Sequence, residues 1–315
     1  MDLTRDGSGA GAPHSPGHDS DGHNSNGHDS AARGWMDAQA TLNTIDAKAS
    51  AENFPVASRL LPGRYRQHLL AVYGFARLVD DVGDEAPGNR LALLDAVDDD
   101  LDRVVGDGVP HLAVLRQLAP TVRTCHLPLD PFHRLVEANR RDQTEVRYQR
   151  YADLLDYCTL SANPVGHLVL GIFGVADPER VVLSDAVCTA LQLVEHWQDV
   201  AEDAARGRIY LPAEDLRRFG CTPADLTAEE TSPQLRRLMA FEVSRAQALM
   251  TRGAPLVATL SGAARLAVAG FVAGGQAALN ALGAADFDVL SGPPKASRRA
   301  VAGGTLTRLL NRGRV

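Results

Sequence analysis

Asp80, Asp81, Asp84 and Glu85 form one acidic run, and Glu195, Asp199, Glu202 and Asp203 form a second more than a hundred residues later. In a helix, residues four apart share a face about 6 Å apart along the axis, so Asp80 with Asp84, and Asp199 with Asp203, each present paired oxygens in one direction. Like charges at that spacing repel. A hard divalent cation relieves the repulsion, and Mg2+ in particular takes oxygen ligands and is usually shared between a few carboxylates and a substrate phosphate. The two runs read as the jaws of a metal clamp whose third party is a polyanion.

Positioning such jaws requires helices, and the chain is written for them. Beyond residue 49 the segments are rich in Ala, Leu, Arg and Asp, and strand-like alternation is scarce. The pattern predicts helices over Ala49–Leu60, Tyr65–Gly83, Leu91–Val105, Pro110–Leu118, Pro131–Asn139, Tyr151–Ser161, Pro164–Phe173, Pro178–Arg206, Pro212–Phe219, Ser232–Arg252 and Pro255–Leu282. Asn163-Pro164 should break the backbone between two of them. Both jaws then fall near helix C-termini, where carboxylates oppose the macrodipole by a few tenths of a kcal/mol each, up to about 1. A purely structural sequence would favour Lys there.

Bulk properties narrow the partner. With 315 residues and 45% hydrophobic content the chain can bury a sizeable core. A net charge of -7 and a pI near 5.8, with no basic stripe interleaved with aromatics, exclude a general nucleic-acid binder. Cys125, Cys158, Cys188 and Cys221 show neither zinc-ligand nor disulfide-framework spacing, which fits reduced thiols in the cytoplasm. Residues 1–33, rich in Gly, Ser, Asp, Asn and His, predict a disordered tail whose regularly spaced His18, His23 and His28 are solvated low complexity. Arg265 interrupts the most apolar stretch, Pro255 to Gly283, so no uninterrupted membrane span is expected. The segment 291–315 reads as a basic tail in which Gly303-Gly304 interrupts any helix; contact with an anionic membrane through its Arg residues, Leu306, Leu309 and Leu310 and plain disorder are both open.

Three separated motifs resemble the squalene/phytoene synthase family over roughly Glu52 to Leu290. Tyr73, Arg77, Asp80 and Asp84 match its Tyr-x-x-x-Arg-x-x-Asp-x-x-x-Asp pattern, and Asp199, Asp203, Gly207, Arg208, Tyr210, Leu211 and Pro212 match its second acidic motif. Between them, Tyr157, Ala162, Val165 and Gly166 match the stretch that lines the prenyl channel. Glu52 to Ser58 with Phe54, Ser161 to Gly166 with Asn163, and Trp197-Gln198-Asp199 are similar to the subgroup associated with hopanoid biosynthesis. Where the family usually carries neutral residues before the second motif, this chain has Glu195 and His196; a carboxylate also ligates Mg2+, so Glu195, Asp199 and Asp203 would form a ligand ladder.

The resemblance implies an all-α fold: a single-domain isoprenoid-synthase-type helical bundle over residues 34–290 with a central prenyl-diphosphate cavity. It implies Mg2+ as cofactor, held by Asp80, Asp84, Glu195, Asp199 and Asp203. Catalytic roles fall to Tyr73, Arg77, Tyr157, Asn163 and Arg208, and substrate contacts to Phe54, Arg77, Tyr157, Val165, Gly166, Gln192, Gln198, Arg208 and Tyr210. The implied reaction is ionisation of presqualene diphosphate to give hydroxysqualene or squalene. Head-to-head condensation of two farnesyl or geranylgeranyl diphosphates is the alternative, and a non-catalytic prenyl-lipid-binding or assembly subunit a third. Further expectations are partner enzymes of the same pathway and a cytoplasmic location, peripheral at the inner face of the membrane.

Overall fold

Helices account for nearly all regular structure, because the apolar residues recur at three- and four-residue spacing. The protein is described by a computed structural model over residues 61–106, 108–144, 147–292 and 297–310, with backbone alone at 298 and 299. The expected tail over 1–33, the expected helix Ala49–Leu60 and Phe54 lie outside the described residues.

Helix α1 (Gly63–Asp84) buries Leu69, Val72, Phe75, Leu78, Val79 and Val82, one stripe of an amphipathic helix. α2 (Arg90–Asp102) is capped by the Asn89 side chain, which accepts from the Ala92 amide. α3 (Ala113–Cys125) runs through Pro120, past the expected stop at Leu118, because Leu115, Leu118, Ala119 and Val122 on both sides of the proline pack into the core. α4 (Asp130–Asp142) extends a turn beyond the expected Asn139, and that turn carries Asp142 to the site. α5 (Tyr151–Ser161) and α6 (Asn163–Ile172) are separated at Ala162, as Asn163-Pro164 requires.

The predicted helix Pro178–Arg206 divides into α7 (Pro178–Gln198) and α8 (Val200–Ala205) at Asp199, whose φ of -104° and ψ of 16° leave the helical basin. The amide of Asp199 still reaches the Glu195 carbonyl at 3.0 Å, and that of Asp203 the Asp199 carbonyl at 2.8 Å. The four-residue rise therefore survives the break. α9 (Ala213–Phe219) and α10 (Pro233–Gly253) follow. The predicted helix Pro255–Leu282 is two, α11 (Leu256–Thr259) and α12 (Gly262–Ala284), parted at Leu260 and Ser261. α12 is long and apolar enough to cross a membrane, Arg265 included, but Val268, Ala269, Val272, Ala273, Leu279 and Leu282 are buried within the bundle. Gly303-Gly304 does not interrupt the last helix: α13 (Arg298–Leu310) is continuous and lies along α12.

Two apolar clusters organise the bundle. One joins α1 to α4 with Leu168, Val169 and Ile172 of α6, and the other gathers α5, α7, α10 and α12 around Trp197, Leu193 and Met239. Burial on this scale stabilises by roughly 25 cal/mol per Å2 of apolar surface. The first jaw ends a helix of one cluster and the second ends a helix of the other, so the acidic ends meet between them.

Candidate active site

A polar cavity of about 270 Å3 opens where the two clusters meet. Its walls carry Asp80 and Asp84 from α1, Asn139 and Asp142 from α4, Tyr157 and Ser161 from α5, Gln192, Glu195 and His196 from α7, then Asp199, Asp203, Arg206, Arg208 and Tyr210. Six carboxylates thus face one space alongside two guanidinium groups.

The first jaw is held by α4. Asn139 donates to Asp80 Oδ1 at 3.2 Å, and Gln143 donates to the Gly83 carbonyl at 3.0 Å. Gly83 makes this approach possible, since a methyl group there would collide with the Asn139 side chain. Desolvation by the surrounding protein pushes Asp80 up to about 6, against the Asn139 hydrogen bond and with Asp84 adding to the rise. Asp81 does not join the jaw: it turns into the core and pairs with Arg77 at 3.0 Å.

In the second jaw Asp203 is pushed up to about 7, first by desolvation and then by Asp199. Glu195 is raised by burial, then by Asp199 and Asp80, so it feels both jaws. Arg208 ties the jaws together, donating to Asp84 Oδ1 at 2.7 Å. At Asp80, Glu195 and Asp203 desolvation is the first cause of the rise, and a neighbouring carboxylate adds to it at each.

Beside the jaws lies an aromatic wall. His196 stacks on Tyr210 with ring centroids 3.6 Å apart and planes 13° from parallel, and Tyr157 stands 5.9 Å from Tyr210. Burial pushes His196 down to about 3, so the imidazole is neutral, with Nε2 at 3.2 Å from the Gln192 amide nitrogen. Tyr157 donates to Asp142 at 2.6 Å and Tyr210 donates to its other oxygen at 3.4 Å. Burial pushes Asp142 up to about 6, the Tyr157 hydrogen bond opposing it.

Farther along α7 an apolar cavity of about 130 Å3 is bounded by Val165, Gly166, Val169, Val187, Leu191, Val268 and Phe271. Gly166 lets α6 close on α7, because a methyl group would meet Ser184 and Cys188.

Of the residues singled out by sequence, Asp80, Asp84, Glu195, Asp199, Asp203, Tyr157, Gln192, Arg208 and Tyr210 converge on the polar cavity. Val165 and Gly166 bound the apolar one. Neither cavity is lined by Tyr73, Arg77, Asn163 or Gln198. Arg77 serves Asp81, and Asn163 accepts from Thr189 at 3.0 Å inside the α6–α7 contact. Phe75 is likewise core, edge-on to Phe132 at 5.2 Å. Asn139 and Asp142 went unmarked in the sequence, although Asp142 lies within the strongly polar stretch Asn139-Arg140-Arg141-Asp142-Gln143.

The donor set suits a hard divalent cation, since every candidate ligand is a carboxylate. Among the described residues no three such groups already converge into a coordination sphere.

The family model described as Squalene/phytoene synthase matches residues 47–300. A hydroxysqualene synthase of Zymomonas mobilis subsp. mobilis is 34% identical over 212 residues, covering 66% of this chain and 71% of that one. The crystal structure of squalene synthase HpnC from Alicyclobacillus acidocaldarius superposes with a TM-score of 0.71 at 43% identity, over 82% of this chain and 96% of that one. A dehydrosqualene synthase crystallised in complex with ligand gives a TM-score of 0.74 at 25% identity, over 88% and 97% of the two chains. The acidic jaws, the all-α bundle around them and these likenesses agree: this chain belongs to the squalene/phytoene synthase family and is an enzyme of the squalene synthase type.

Proposed function

We propose that the protein ionises presqualene diphosphate using Mg2+ held between its two acidic jaws, and that water captures the resulting cation to give hydroxysqualene, or an added hydride donor reduces it to squalene. The observation that carries this reading is the meeting of both jaws across one polar cavity, with an apolar cavity farther along the same helix. Bound Mg2+ would supply neutralisation of the departing diphosphate as the allylic C–O bond breaks. Asp80 and Asp84 on one wall, with Glu195, Asp199 and Asp203 on the other, are the residues that would hold it. Arg206 and Arg208 offer guanidinium groups to the same phosphate oxygens.

Tyr157, Tyr210 and His196 supply ring faces to the carbocation. Asp142 orients both tyrosines by accepting their hydroxyl hydrogens, and its buried charge favours positive charge nearby. Val165, Gly166 and their neighbours would receive a prenyl chain and keep bulk water from the cation, so that rearrangement outruns random quenching. With its hydroxyl hydrogen committed to Asp142, the Tyr157 oxygen can accept from, and so place, the terminating water. Residues 34–290 are taken as the catalytic unit, acting in the cytoplasm with partner enzymes of the same pathway.

Purified protein incubated with Mg2+ and presqualene diphosphate should release hydroxysqualene, identified by mass spectrometry, with squalene expected only when a hydride donor such as a reduced nicotinamide is added. Farnesyl diphosphate alone should yield nothing. Its condensation to a head-to-head product would overturn the assignment in favour of the synthase that catalyses the first step.

A further inference from the structure

One buried hydroxyl at the polar cavity has nothing to bond. Ser161, the last residue of α5, lines that cavity, and its Oγ is buried with no hydrogen-bond partner among the described residues. Buried hydroxyls elsewhere in the bundle are paired: Thr121 with His68 at 2.9 Å, Thr189 with Asn163 at 3.0 Å and Ser184 with Cys188 at 3.9 Å. Ser161 does not even take the carbonyl one turn back, the usual local partner of a helical serine. A buried hydroxyl left unbonded lowers stability, so a site that needed only packing would be better served by Ala or Val.

Position selects the partner. Ser161 follows Tyr157 by four residues on α5, so the two hydroxyl-bearing side chains rise from one face of the helix. Tyr157 gives its hydrogen to Asp142 at 2.6 Å, which leaves its oxygen to accept, whereas Ser161 has a hydrogen to give. A water held by both would donate to Tyr157 and accept from Ser161, and its second lone pair would stay free to attack carbon. Two polar partners are enough to place one water. Past the α5–α6 break the lining turns apolar at Val165 and Gly166, so along the chain Ser161 is the last polar group before the walls meant for a prenyl chain. The departing diphosphate is served from other elements, by the acidic jaws with their cation and by Arg206 and Arg208.

We propose that Ser161, together with Tyr157, holds the single water that captures the carbocation, and that Ser161 thereby makes the product one defined alcohol. This rests on the reaction assigned above and names the residue that decides how it ends. The water oxygen forms the new bond to the cationic carbon and sheds a proton to the Tyr157 oxygen, while the Tyr157 hydroxyl hydrogen moves to the Asp142 carboxylate. Cation and carboxylate both end neutral, and no other reactant is consumed. Without the serine, water is no longer aimed, and the cation is left to lose a proton from carbon or to be captured at another carbon.

The test compares full-length wild type with Ser161→Ala, each given Mg2+ and presqualene diphosphate in isotopically labelled water, reading released diphosphate and the identity of every product by mass spectrometry. Wild type should give hydroxysqualene carrying the labelled oxygen. In Ser161→Ala the ratio of hydroxysqualene to all other products should fall at least about 5-fold, replaced by hydrocarbons formed by proton loss and by isomeric alcohols. Diphosphate release should stay within about 3-fold of wild type, because ionisation precedes capture. The melting temperature should hold or rise, since no hydrogen bond within the protein is lost. An unchanged product ratio in Ser161→Ala would overturn the proposal while leaving the reaction assignment standing. A fall in diphosphate release with the product ratio unchanged would overturn it too, moving Ser161 to the ionisation step, and a clear drop in melting temperature would make the hydroxyl structural. Wild type that forms no labelled hydroxysqualene would fail the reaction assignment itself, and this proposal with it.

Discussion

Two groups of carboxylates in this protein are built on opposite principles. Asp215 of α9 and Glu242 of α10 share one internal cation: Arg245 donates to Asp215 at 2.6 Å and to both Glu242 oxygens at 3.2 Å. Its guanidinium lies 4.0 Å from the Tyr151 ring and 4.3 Å from Phe241, so apolar and aromatic groups seal the knot. The active-site cavity sets six carboxylates against Arg206 and Arg208 and leaves the space between them open. A cluster that brings its own cation is structure, and one that keeps room for a cation is a site. Helical spacing of acids is common to both, so the tertiary partner makes the difference.

Breaking the open cluster should have the largest effect. Asp80→Asn and Asp203→Asn should each lower turnover by about a thousand-fold or more, since each removes a charge that would neutralise the leaving group. Thermal stability should hold or rise, because like-charge repulsion is relieved. Unfolding of either variant, read by circular dichroism, would assign the jaws to structure instead. Withdrawing Mg2+ with a chelator should abolish turnover reversibly. Adding it at 100 times its dissociation constant should stabilise the fold by about 2.7 kcal/mol, seen as a rise in melting temperature that Asp80→Asn diminishes.

Asp142→Asn tests the wall beside the jaws. It keeps an acceptor for Tyr157 and removes the buried charge, so kcat should fall roughly 10- to 100-fold with the fold intact. An unchanged kcat would restrict Asp142 to packing.

The smallest effect belongs to the closed knot. Burial pushes Glu242 up to about 8 from 4.5, with Arg245 opposing and Asp215 adding to the rise. Between those values the unfolded chain ionises first, so the protein loses stability as pH rises from about 4.5 to 8. Glu242→Gln should flatten that slope and stabilise the protein by about 1 kcal/mol or more at pH 8, with activity untouched, because an amide can donate to Asp215 as the protonated acid does. Urea unfolding at pH 5 and pH 8 reads this directly, and an undiminished slope would locate the titration elsewhere.

By itself the sequence determined the helical class, the pairing of Asp80 with Asp84, the rise from Glu195 through Asp199 to Asp203, and the break before Asn163-Pro164. These are local matters, set by the 3.6-residue period and by proline's missing amide. Only the tertiary structure decided which acid of a run faces the cavity: Asp81 and Asp80 are neighbours, yet one pairs with Arg77 in the core and the other meets Asn139 across the α1–α4 contact. The pairing of Arg77 with Asp81 and of Asn163 with Thr189 is likewise a product of packing. Asp142 has no local signature, since its role comes from Tyr157 and Tyr210, one 15 and the other 68 residues away. The glycine pair in α13 was misleading for the same reason: packing against Ala273 and capping by Arg265 outweigh an intrinsic cost of about 1 kcal/mol per glycine. Spacing along one helix is written in the chain, whereas burial and partnership arise only when distant helices are brought to one place.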